Sequence, residues 1–262
     1  MTMPLVRVLF LLTISLSVFK SCGQVWPLDM ANDSVDDYYE GCKDDMYNLV
    51  SSKYTEYEKM NTPGFAEAWK TALIKCNKNG LNVNLSAAIY LYTQDSSFNP
   101  KCSYVQFNND CRKGKEAYLS GDFKFYTLYF FLTEAIKELN KQKDIKTKLF
   151  CLTSYRRTKF KFSNVTNKKE IRFGSFTSSS LNMNLTHFGN VSCFKIKTCY
   201  GVKVQQYSAL KYESEVIIPP YEVFSISKKD KVKNLRCEVV YEVKSKHKCS
   251  TLNCSKVAKL KC

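Results

Sequence analysis

Apolar residues recur at helical intervals through the first half of the chain and in short runs through the second. Phe65, Trp69, Leu73 and Cys76 follow one another at steps of four, four and three, the one-face pattern of an amphipathic helix. Leu128, Leu132, Ala135, Ile136 and Leu139 repeat it, and Pro63 and Gly64 stand where the earlier helix can begin. Between the two, "AIYLYTQDSSFNPKCSYVQFNNDCRKGKEAY" starts helically and breaks into a loop at Asn99-Pro100. Beyond about Lys148 the period shortens. The β-branched and aromatic runs "LFCLTSY", "EIRFGSFTSSS", "VSCFKIKTC", "VKVQQYSAL", "SEVIIPPYEVFSI" and "RCEVVYEVKS" predict strands. Helices followed by strands make an α+β fold and argue against a parallel doubly wound sheet. The expectation is a helical part over about residues 24–147, packed on a β-rich part over about 148–262. No repeat or low-complexity linker separates them, so one domain over 24–262 is expected.

The opening "MTMPLVRVLFLLTISLSVFKSCGQ" has an early arginine, an apolar run from Val8 to Phe19, and then small residues. It reads as a secretory signal peptide over residues 1–23, too short for a transmembrane helix of about 20 apolar residues. The closing "KHKCSTLNCSKVAKLKC" is basic and polar, so no lipid anchor is expected there and the product is expected to be secreted. Twelve cysteines fit an oxidising compartment, as do sequons at Asn32, Asn84, Asn164, Asn184, Asn190 and Asn253. If Cys22 leaves with the signal, an odd number of cysteines remains. With no Cys-x-x-Cys and only His187 and His247, a metal site is not expected. Forty Lys and Arg against 24 Asp and Glu give a net charge of +16 and a field that draws anions. The lysines are scattered and no Gly-aromatic stacking signature occurs, so a nucleic-acid partner is not expected.

Against that basic background, "YESEVIIPPYEVF" places Glu213 and Glu215 one residue apart. On a strand, residues two apart share a face about 6.6 Å along the chain, so the two carboxylates would lie side by side with Ser214 on the other face. They are either solvated charges at a strand edge or a pair that meets one small substrate. Upstream, "SYRRTKF" carries Arg156 and Arg157, and "RFGSFTSSS" carries Ser178 to Ser180. Each of these alone is an ordinary surface feature.

Taken in order, they resemble the R-S-E signature of the arginine-specific mono-ADP-ribosyltransferases, a secreted and cell-surface family that shares its catalytic core with bacterial toxins. The likeness runs through "LDMANDSVDDYYEGC", "AIYLYT", "YVQFNNDCR", "FYTLYFFLTEAI", "YSALKYESEVIIPPYEVF" and "STLNC", nearly the whole chain beyond the leader. It implies an antiparallel β-sandwich core of the ADP-ribosyltransferase type. It also implies transfer of one ADP-ribose from NAD to arginine side chains of acceptor proteins, with loss of nicotinamide. By the resemblance, Glu215 is the catalytic glutamate, Glu213 sets acceptor choice, Arg156 holds the NAD phosphates and Ser178 steadies cofactor and carboxylate. Tyr104 is implied as an NAD contact. Arg157 stands where the family has a glycine near the nicotinamide, so its backbone would meet the carboxamide while its side chain must find room. Ser179 replaces a threonine, and Asn32 stands where proline is common. The resemblance further implies Cys151–Cys199 and Cys42–Cys254 disulfides. It leaves Cys76, Cys102, Cys111, Cys193, Cys237, Cys249 and Cys262 unassigned, with Cys102–Cys111 suggested by nearness in sequence. Other readings are an NAD glycohydrolase, a catalytically silent binding protein, and a cationic ribonuclease using His187 and His247.

Overall fold

A computed structural model describes residues 25–78, 80–95, 97, 100–147, 151–163, 169–229 and 235–257. The expected leader, Asn99, Asn164 and Cys262 lie outside them. After a short strand β1 (Val25–Trp26) come the helices α1 (Lys43–Leu49), α2 (Thr55–Asn61), α3 (Phe65–Lys75), α4 (Val83–Tyr92), α5 (Tyr104–Lys113), α6 (Lys115–Ser120) and α7 (Tyr126–Thr147), with a π-helical turn at Val50–Tyr54. The strands follow: β2 (Leu152–Thr158), β3 (Lys161–Phe162), β4 (Glu170–Ile171), β5 (Thr177–Ser180), β6 (Ser192–Thr198), β7 (Val202–Lys203), β8 (Glu215–Ile218), β9 (Glu222–Lys229), β10 (Val239–Lys248), β11 (Leu252–Asn253) and β12 (Lys256–Val257).

Local chemistry explains the helix starts. Gly64 takes the left-handed conformation, φ 78°, just before α3, which glycine does without steric cost. The Asn82 side chain accepts from the Asn84 amide at the head of α4, and Ser103 accepts from Gln106 at the head of α5. The two faces read from the sequence are inward: Phe65 and Trp69 of α3 and Leu128, Leu132, Ala135 and Ile136 of α7 are buried. They join an aromatic-rich core that also takes Phe176, Val202 and Ile217 from the sheet side. Phe176 stacks on Phe107 of α5 at 5.7 Å and meets Tyr129 of α7 edge-on at 5.2 Å, which fixes the start of β5 against the helices.

Eight strands form one hydrogen-bonded sheet in the order β4-β9-β10-β6-β2-β5-β8-β7. Its neighbours are antiparallel except β10 and β6, which run parallel. The sheet is thus antiparallel in the main, as the resemblance implies, with one parallel pair. A parallel pair needs a crossover, and the long path through β7, β8 and β9 supplies it. Val216 and Ile218 of β8 share a second core with Phe224 and Ile226 of β9 and with Phe194 and Tyr241. Strands so far apart in the order meet only if the sheet curls over itself.

Cys42–Cys254 and Cys151–Cys199 are joined as the resemblance implies, and Cys193–Cys237 is a third disulfide. Cys102 and Cys111 are thiols, which corrects the pairing suggested by nearness in sequence. Cys102 precedes α5 and Cys111 sits on its third turn. At a rise of about 1.5 Å per residue the helix holds them roughly 10 Å apart, beyond disulfide reach.

Candidate active site

β2, β5 and β8 are neighbours, with Tyr155 opposite Ser180 and Ser180 opposite Glu215. Side chains alternate faces along a strand, so Ser178, two residues from Ser180, lies on the same face as Glu215 and diagonal to it. The Ser178 hydroxyl donates to Glu215 Oε1 at 2.5 Å, and Ser208 Oγ lies 3.4 Å from Oε2. From β2, Arg156 Nη1 donates to the Ser178 carbonyl at 2.6 Å. Arg156, Ser178 and Glu215 border a cavity of about 280 Å³ whose far wall is Tyr92, Thr93 and Tyr104, from the end of α4 and the start of α5. It is of the size that holds part of a nucleotide-sized ligand.

Glu213 also lines this cavity, by a different route from the one expected. It closes a 3-10 turn, Lys211–Glu213, and Ser214 is left-handed at φ 48°, so the strand begins only at Glu215. The two glutamates therefore do not ride one strand face. The turn is held from β5: Ser180 Oγ donates to the Glu213 carbonyl, and the Leu181 amide donates to that of Ser214 at 3.1 Å. In consequence Glu215 is buried while Glu213 is half-exposed. Burial pushes the Glu215 carboxyl up to about 7; the Ser178 bond opposes this, the nearby Glu213 adds to it, and Ser208 and Arg156 oppose it. Burial also raises Glu213, against the pull of His187. Arg156 is lowered by burial and held up by Tyr92, Tyr104 and Glu215.

Arg157, the departure noted in the sequence, borders the cavity but turns its guanidinium to the other face of β2. Nε donates to the Met183 carbonyl at 2.8 Å, and Nη1 lies 3.3 Å from Cys237 Sγ and 3.9 Å from Cys193 Sγ. Alternation along the strand gives Arg156 and Arg157 opposite faces, so the room that Arg157 needs is found beside the disulfide, away from the space between Arg156 and Glu215. Tyr104, at the first position of α5, borders the cavity with its ring edge-on to Tyr92 at 6.3 Å.

All six residues singled out in the sequence thus border one cavity. Tyr92 and Asn182 were missed, as were Leu185 and Phe188. Tyr92 reads as one more apolar position of α4; its signal was the polar run Thr93-Gln94-Asp95 that follows it directly. The others come from the aperiodic segment 181–190, where no spacing signals a wall. Among the described residues no group of three or more His, Cys, Asp or Glu is placed to hold a metal ion, and no helix is long and apolar enough to cross a membrane.

Comparison with known proteins places these residues in a context. A family model described as NAD:arginine ADP-ribosyltransferase matches residues 28–250. NAD(P)(+)-arginine ADP-ribosyltransferase 1 of Gallus gallus is 33% identical over 87% of this chain and 72% of its own length. NAD(P)(+)-arginine ADP-ribosyltransferase 2 of the same species is 33% identical over 76% of this chain; the match spans 64% of that relative, under two thirds of its length. A crystal structure of a mutant of the eukaryotic mono-ADP-ribosyltransferase ART2.2 in complex with NADH superposes with a TM-score of 0.67 at 28% identity, covering 87% of this chain and 98% of that one.

Proposed function

Because the chain belongs to the NAD:arginine ADP-ribosyltransferase family, we propose that it transfers a single ADP-ribose from NAD to arginine side chains of acceptor proteins and releases nicotinamide. The observation that carries the reading is the buried Glu215 carboxylate with Ser178 donating to it at 2.5 Å and Arg156 bonded to the same serine's carbonyl. It is one anchored unit that offers a carboxylate and a cation to a single ligand.

NAD is a co-substrate. Its nicotinamide–ribose bond breaks with the electron pair leaving on nicotinamide, and the ribose passes through an oxocarbenium-like state of the kind glycosidases stabilise with carboxylates. Glu215 supplies that negative charge at a buried position, where it acts through little screening. The positive nicotinamide ring, on arrival, favours its ionised form. Arg156 gives the dinucleotide phosphates a planar, permanently charged fork. Ser178 aims the carboxylate, and Tyr104 borders the dinucleotide from the helical side. A guanidinium with its ordinary pKa above 12 is a poor nucleophile. Glu213, more open to solvent, orients the incoming arginine and takes the proton lost as its nitrogen bonds to the ribose. We place this chemistry in one catalytic unit over residues 24–262. The disulfides fit an extracellular setting. Release rather than anchoring is the finer reading, tested by whether activity partitions to medium or to membranes.

The test is transfer of labelled ADP-ribose to an arginine-rich acceptor. Glu215→Gln should lose about 10²- to 10³-fold in rate, the usual cost of one charge-stabilising group, and unchanged transfer would sink the assignment. Glu213→Gln should cut protein-bound label while free ADP-ribose persists. A wild-type enzyme that yields only free ADP-ribose would be a glycohydrolase instead.

A further inference from the structure

Behind the segment that walls the active-site cavity lies a second, more open cavity of about 580 Å³, lined by Arg157, Lys159, Asn184, Thr186, His187, Gly189, Asn190 and Arg236. Its lining holds two arginines, a lysine and a histidine, and no carboxylate. Glu238 lies close in sequence to Arg236, and its amide donates to the Asn190 carbonyl, but it is not part of the lining.

The deepest of these cations is Arg157, 8% exposed. Its contacts are one carbonyl and two disulfide sulfurs, and among the described residues no carboxylate is within ion-pair distance of it. Burial alone moves its titration, downward. A buried guanidinium without a counter-charge is costly unless something anionic completes it. Arg172 shows the contrast within the same chain, since it is buried still more deeply and is bonded to Asp36.

The two cavities are contiguous, because Arg157 and Lys159 border both. The wall between them is thin: Leu185 and Phe188 face the first cavity while Asn184, Thr186 and His187 face the second. Gly189 is what lets this wall lie close on β2. At φ 127°, a side chain there would meet the Thr158 backbone at 2.5 Å. Glu213 borders the first cavity together with Arg157 and Lys159, which also line the second, so the basic cavity adjoins the space where an acceptor arginine would approach Glu213.

We propose that Arg157, Lys159, His187 and Arg236 form an anion subsite that seats an acidic side chain neighbouring the target arginine of the acceptor protein. The subsite rests on the transferase reading for its role but not for its affinity. An acceptor with its arginine at Glu213 would place a carboxylate a few residues away across the 184–190 wall. The selectivity would be for arginines in acidic surroundings, which a surface of net charge +16 also attracts at long range.

The experiment uses the full chain stripped of N-glycans, since Asn184 and Asn190 head sequons and line the cavity. Two peptides are compared, identical except for Glu or Gln a few residues from the single arginine. The Glu peptide should have a KM about tenfold lower, as for one hydrogen bond to a charged group, with the gap closing as salt rises. Arg236→Gln should shrink the gap severalfold and leave the KM for NAD unchanged, and Arg236→Lys should restore most of it. Equal KM values for the two wild-type peptides would overturn the proposal, as would a full preference in Arg236→Gln. It would also fall if that variant altered KM only for NADP relative to NAD, which would assign the cations to the dinucleotide's extra phosphate. Direct binding of the same peptides, read by fluorescence anisotropy, keeps the two readings separate. If no transfer occurs but the Glu peptide still binds more tightly, the catalytic assignment fails while the subsite stands.

Discussion

Glu215 is 4% exposed, and its carboxyl, raised to about 7 chiefly by burial, is half protonated near neutrality. The proposed stabilisation of a ribose cation by Glu215 requires the ionised form. Single-turnover transfer should therefore rise about tenfold per pH unit up to pH 7 and flatten above it, a profile that pre-bound NAD would shift downward by adding positive charge. The same shift has a consequence for stability. The folded state holds a proton that the unfolded state releases near 4.5, so stability falls as pH rises from about 4.5 through 7, by about 3 kcal/mol at most. Glu215→Gln carries no such penalty. Its thermal midpoint should exceed the wild type's at pH 8 and converge with it near pH 4. Glu58, raised by burial to about 8, is common to both proteins, so the comparison at each pH isolates Glu215. A midpoint difference that is the same at both pH values would show that burial does not control this carboxyl.

At the scale of elements, the acidic N-terminal segment organises the joint between helices and sheet. Asp36 is fully buried in an ion pair with Arg172, whose guanidinium also donates to the Met30 and Cys249 carbonyls. Asp36 accepts from the Thr251 and Leu252 amides as well. Asp37 accepts from the amides of Tyr39, Cys254 and Ser255 and from the Tyr118 hydroxyl. Two adjacent carboxylates thus bind the start of the chain, α6, β4 and the β11 region together. Asp36→Asn keeps the size of the side chain but strands the Arg172 charge in the interior. It should cost about 3–5 kcal/mol in urea unfolding, with the slope against denaturant unchanged; a loss under 1 kcal/mol would mean that water reaches Arg172. The clustering of aspartates was plain in "ANDSVDDYYEGC", but that they serve burial was not, because Arg172, Thr251, Leu252, Cys254 and Ser255 lie more than a hundred residues away.

For the whole molecule, the Cys42–Cys254 bridge spans 212 residues and joins the turn between β11 and β12 to the entry to α1. On the chain-entropy account such a loop contributes about 5 kcal/mol by restricting the unfolded chain. Cys42→Ser with Cys254→Ser should therefore shift the guanidinium midpoint well downward. The cavity at the junction of β2, β5 and β8 should nonetheless stay competent at low temperature, since none of its residues touches that bridge. Loss of NAD binding in the folded double variant would count against this separation.

The order of elements and the inward faces of α3 and α7 were written in the sequence, because hydrophobic period is a local property that needs only neighbours along the chain. The motif resemblance also singled out Arg156, Ser178 and Glu215, which folding brings to one cavity. Three matters belonged to tertiary structure. The turn that separates Glu213 from the strand depends on Ser180 and Leu181 holding it from β5. Strand alternation turns the Arg157 side chain to the far face of β2, but the place it takes there, beside the Cys193–Cys237 disulfide left unassigned in the sequence, exists only in the fold. The basic cavity arises where β2, the 184–190 wall and Arg236 converge, and charge becomes a site only when folding brings cations together without their counter-ions.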